Sequence, residues 1–77
     1  MSEKMVDVIM HIDEETSREQ REELRDHLLQ HNGVMAASYQ EKQSHMMVIQ
    51  YDPDVAKSSD FLDIAKSSGL HAELVGM

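Results

Sequence analysis

The sequence predicts an α+β sandwich, with four antiparallel strands in one sheet and two helices on one face, in the order β-α-β-β-α-β. Three observations carry that prediction. Hydrophobic spacing passes from period two to a helical period and back again, twice along the chain. Each passage is punctuated: capping residues at Thr16 and Ser17, Asn32-Gly33, Asp52-Pro53-Asp54, and Gly69. Finally, 77 residues without repeat, linker or low-complexity stretch make a single domain, residues 1–77.

The stretch MVDVIMHI puts Val6, Val8, Met10 and Ile12 on one parity and Asp7, Ile9 and His11 on the other, a strand with one apolar face. Asp13 to Glu15 form a loop. Thr16 to Glu19 and Ser17 to Gln20 both have capping-box spacing, so either Thr16 or Ser17 is the N-cap of a helix. That helix runs to about His31, with Leu24, Leu28 and His31 at i, i+4 and i+7 and Gln20 one turn earlier on the same line. Glu19 and Glu22 come early and Arg25 and His27 late, matching the helix dipole. Gly33 suits the left-handed conformation that follows a helix end.

A second strand, VMAASYQEK, alternates poorly; a polar turn over Glu41 to Ser44 leads to a third, HMMVIQY, over His45 to Tyr51. Proline removes a ladder donor, so Asp52-Pro53-Asp54 stops it, with the two aspartates as turn formers. Ser58 or Ser59 caps a second helix bearing Phe61, Ile64 and Ala65 on one face, Gly69 closes it, and HAELV forms the last strand. This order is the split βαβ arrangement of ferredoxin-like domains, in which the first and third strands are the central pair.

Composition removes several function classes. Fifteen acids against seven bases give a formal charge of −8, with no basic patch to neutralise phosphates, which argues against nucleic acid and anionic membranes. With no cysteine, disulfides and thiolate-zinc sites are excluded. The N-terminal MSEKMVDVIMHID has no apolar stretch long enough for a signal peptide, and no run spans a bilayer, so the expected location is cytoplasmic. No cysteine nucleophile, nucleophile elbow or phosphate-cradling glycine loop is present; the expectation is not an enzyme.

The stretches LLQHNGV, VIQYDPDV and AKSSGLHAELV resemble heavy-metal-associated (HMA) domains: small copper chaperones, mercury-binding proteins of similar build and N-terminal modules of metal-pumping ATPases. The resemblance covers about Val6 to Val75. The family carries Met-Thr-Cys-x-x-Cys where its first loop meets its first helix. Spacing from Gly33 lays that motif on Glu15-Thr16-Ser17-Arg18-Glu19-Gln20, so Met has become Glu15, the cysteines Ser17 and Gln20, and only Thr16 is kept. A hydroxyl and an amide are hard, neutral donors that do not hold Cu(I) as thiolates do. Leu70 stands where the family often has an aromatic or lysine near the metal.

Five histidines and seven methionines raise other ligand sets. Antiparallel pairing of the central strands brings Met10-His11 near His45-Met46-Met47, so His11, His45 and Met46 are a candidate site for weakly held Cu, Ni or Zn. Against it, Met10 has core parity, and the histidines suit the open side of the sheet. Whether His11 and His45 share a face depends on register. His27 and His31, four apart on the first helix, have chelating spacing without a third ligand; His31 is expected at the core edge and His27 in solvent.

Two readings follow. The first is an HMA-like domain with a degenerate site and no cofactor, acting as a protein-interaction or adaptor module. The acidic surface of Asp13, Glu14, Glu15, Arg18, Glu19 and Glu22 would face a basic patch on another protein. The bare sheet, with Ile9 and Val48, is a second surface that could pair a homodimer. The alternative is a metal-binding protein using histidine, methionine and carboxylate ligands.

Overall fold

The computed structural model describes residues 5–40 and 42–75. Strand β1 (Val6–Ile12), helix α1 (Arg18–Gln30), strands β2 (Val34–Gln40) and β3 (Gln43–Tyr51), helix α2 (Ser58–Ser67) and strand β4 (Ala72–Val75) follow in the predicted order. The strands form one antiparallel sheet in the spatial order β2-β3-β1-β4, so β1 and β3 are the central pair. No described helix is long and apolar enough to cross a membrane.

Parity decides what is buried. Val8, Met10 and Ile12 of β1 and Met47, Ile49 and Tyr51 of β3 point to the helix side, where Leu24, Leu28, Phe61 and Ala65 close over them. Each large side chain so buried contributes roughly 1.5–3 kcal/mol relative to exposure. The two helices are also clipped to each other. His31, just past α1, has Nε2 3.1 Å from the Asp60 carboxylate and its ring edge against Phe61.

The start of α2 differs from the sequence expectation. Neither Ser58 nor Ser59 is the cap: Ser58 is already helical and Lys57 is the N-cap. The Asp60 carboxylate accepts the Lys57 N–H at 3.2 Å, so an acid three residues on does the work expected of a serine hydroxyl. That bond, and then the contact with His31, holds the Asp60 carboxyl below its ordinary value. The β2–β3 turn is tighter than the predicted 41–44, because pairing resumes at Gln40↔Gln43. Residue 41 of that turn, and residues 1–4 of the stretch read for a leader, lie outside the described residues.

The glycine and aspartate turns behave as predicted. Gly33 adopts φ +97° and its carbonyl accepts the Asp52 N–H at 2.8 Å, which joins the α1–β2 and β3–α2 connections. The Asp52 carboxylate accepts the Asp54 N–H at 2.9 Å, the aspartate turn that Pro53 sets up.

Candidate functional site

The α1 N-terminus settles which residue caps it. The Ser17 hydroxyl accepts the Gln20 N–H at 3.1 Å, and the Gln20 side-chain oxygen accepts the Ser17 N–H at 2.8 Å. Ser17 and Gln20 are therefore joined in a reciprocal capping box. Both side chains are exposed, as is Glu15, while Thr16 is half-buried. Ser17→Ala is expected to destabilise the domain by about 1 kcal/mol in urea unfolding, whereas Ser17→Asp should be close to neutral.

Arg21 was not foreseen. The line through Leu24 and Leu28 runs back to Gln20 in the sequence, yet Gln20 is exposed and Arg21 is buried at 8% exposure. Arg21 stands three residues before Leu24 and seven before Leu28, a spacing that marked it as inward-facing despite its charge. Its guanidinium donates to the Thr16 carbonyl at 2.6 Å and to the Thr16 hydroxyl at 3.2 Å, and lies 5.3 Å from the centre of the Tyr39 ring. It thus ties the first loop to β2, while its buried Nε has no partner. Arg21→Ala should lose about 2 kcal/mol through these contacts. Arg21→Met, which keeps the apolar volume and removes the unpaired donor, should lose much less in the same unfolding measurement.

Glu14 binds the other loop at this end of the sheet. Its carboxylate accepts the His71 backbone N–H at 2.8 Å and holds the His71 imidazole Nδ1 at 2.5 Å. The imidazole bond, then the backbone bond, holds the Glu14 carboxyl below its ordinary 4.5. The same bond, then the carboxylate charge, holds His71 above its ordinary 6.5. The histidine part of the contact is complete below 6.5 and is lost as pH rises through the raised value. The carboxylate part is complete above 4.5 and is lost as pH falls through the lowered value. The contact is therefore whole between 4.5 and 6.5. In an NMR titration, Glu14→Gln should bring the His71 midpoint back down toward 6.5; an unmoved midpoint would contradict the contact.

The structure brings together the histidines named from sequence. The His11 and His45 rings lie with centroids 5.8 Å apart and planes within 17°. Met46 is the cross-strand partner of His11. Strict alternation with Met47 would put His45 on the helix side. The β2–β3 register shifts between Tyr39↔Met47 and Gln40↔Gln43, while Met46 keeps its pairing with His11 on β1. At this end of β3 the His45 Nδ1 reaches the Ile12 carbonyl at 2.8 Å. His27 is exposed on α1 and His31 is committed to Asp60, so these two do not form a chelate in the structure. Among the described residues, no three histidine, cysteine or carboxylate groups gather as a metal cluster.

Two surfaces remain. Along loop 1 and α1, Asp13, Glu15, Arg18, Glu19 and Glu22 are exposed, with Arg18 and Glu22 paired at 3.4 Å. Glu14 is turned from this surface toward His71. On the sheet side away from the helices, Val48, Ile9 and Val75 are register neighbours across β3, β1 and β4, with Val48 and Val75 exposed. An open groove of about 390 Å³, lined by residues of α2 and the start of β4, includes Asp13, Lys66 and His71.

No protein-family model and no curated protein matches the chain. Solved structures do. A copper-binding domain from HMA7, a P-type ATPase, superposes with TM-score 0.82 at 21% identity, over 91% of this chain and 93% of that one. A putative copper-ion-binding protein from Bacillus anthracis str. Ames gives 0.83 at 14% identity, over 94% and 100%. Oxidised MerP from Ralstonia metallidurans CH34 gives 0.84 at 10% identity, over 95% and 100%. The chain has the ferredoxin-like fold of these HMA-type domains, and at these identities the likeness is one of architecture.

Proposed function

We propose that this chain is a protein-docking domain of HMA build whose metal-binding loop has become a helix cap. The observation that carries the reading is the reciprocal Ser17–Gln20 box: each side chain, at the positions where the resemblance places thiolates, already accepts the backbone N–H of the other residue. Neither offers a soft, ionisable donor. Meanwhile Asp13, Glu15 and Glu19 leave the same end acidic and exposed on a chain of charge −8, a surface complementary to a basic patch on another protein.

The test is affinity capture from the native host with the full chain, repeated with Glu15→Lys and Glu19→Lys together and across a salt series. The reading predicts a captured protein whose binding weakens as salt rises and is lost in the double variant. Binding that ignores both salt and charge reversal would reject the acidic face and direct attention to the Val48–Ile9–Val75 side of the sheet.

A further inference from the structure

We propose that His11 and His45 form a binding site for a borderline divalent cation, Cu(II), Ni(II) or Zn(II), at the end of the sheet and apart from the Ser17–Gln20 position. Two rings 5.8 Å apart and nearly parallel place a pair of imidazole donors side by side. The tautomer of His45 is set by what its Nδ1 meets. A carbonyl only accepts, so His45 donates its Nδ1–H to Ile12 and keeps the lone pair on Nε2. Imidazoles that ligate metals commonly donate their other N–H in this way, which fixes tautomer and ring orientation. The His11 ring beside that of His45 is half-exposed, with the Asp13 carboxylate 3.7 Å from its Nδ1.

The surroundings favour the same class of ion. Met46 stands opposite His11 in the register, so the two residues share a face of the sheet. The net charge of −8 raises the local concentration of cations. With two imidazoles and no third histidine or carboxylate gathered, water completes the coordination sphere, and affinity should rank Cu(II) above Ni(II) and Zn(II).

The test is titration of the full chain with Zn(II), reading the imidazole nitrogen shifts of every histidine, followed by calorimetry with Cu(II). Saturable one-to-one binding should move the Nε2 signals of His11 and His45 and leave His27, His31 and His71 in place. The His11 side chain is half-exposed and its contacts with Asp13 and the His45 ring lie at the surface, so His11→Gln should keep the melting curve while weakening Cu(II) binding by about tenfold or more. His27→Gln should leave binding unchanged. Unaltered affinity in His11→Gln, shifts centred on His27, His31 or His71, or no saturation at all would each overturn the proposal.

Discussion

Phe61→Ala is expected to cost about 3–5 kcal/mol and to lower the melting temperature by roughly 12 °C or more. Phe61 is fully buried, the one phenylalanine of the chain, and the contact between layers. Its ring meets Tyr51 edge-on at 4.9 Å between centroids and His31 at 6.0 Å. Truncation therefore removes both the transfer energy of the ring and the edge-to-face contacts, and leaves a cavity where α2 covers β3. For 77 residues the whole folding free energy is roughly 4–12 kcal/mol, so this one change consumes a large share. Phe61→Leu, which fills most of the space, should cost under about 2 kcal/mol. Urea unfolding of the pair measures both; equal losses would mean that the ring's shape does not matter.

Gly33→Ala is expected to cost about 3 kcal/mol, although the position lies in a loop. The residue sits at φ +97°, where a side chain adds about 1–2 kcal/mol of backbone strain. A Cβ there would also stand 3.0 Å from the Cβ of Ala56 and from Cβ and Cγ1 of Val55. Two of those three atoms are held by their own backbone and cannot rotate away. The loop itself cannot retreat without losing the Asp52 N–H to Gly33 carbonyl bond at 2.8 Å. Overpacking of this kind adds about 1–2 kcal/mol more. Gly69 gives the control: its φ is +81°, yet nothing lies within 4 Å of an added Cβ, so Gly69→Ala should show the strain alone.

These residues also show what could be read in advance. Strand parity in β1, the stripe of α1 and the Asp-Pro-Asp stop are local patterns, and the fold follows from them together with their order. Ser17 and Gln20 were legible as one of two capping boxes, because spacing alone equally admits Thr16 with Glu19. Three features were not. The burial of Arg21 depends on Thr16 and Tyr39 being present to receive a guanidinium, a tertiary matter that hydropathy ignores. Asp60 displaced the expected serine cap because its position three residues past Lys57 suits a carboxylate at the positive end of a helix. The nearness of His11 and His45 followed from strand pairing, but that their rings share a face did not, because His45 departs from the alternation that Met47 sets and such departures leave no hydrophobic signature.

The central claim is that the backbone of a soft-metal loop survives while its donors are gone. Cu(I) titration of the native chain and of the Ser17→Cys, Gln20→Cys variant, each followed at the backbone amides of residues 15–20, tests it most directly. The account predicts still amides in the native chain and stoichiometric Cu(I) binding, with large shifts across the loop, once the thiols are supplied. Stoichiometric movement of Ser17 and Gln20 in the native protein would contradict it.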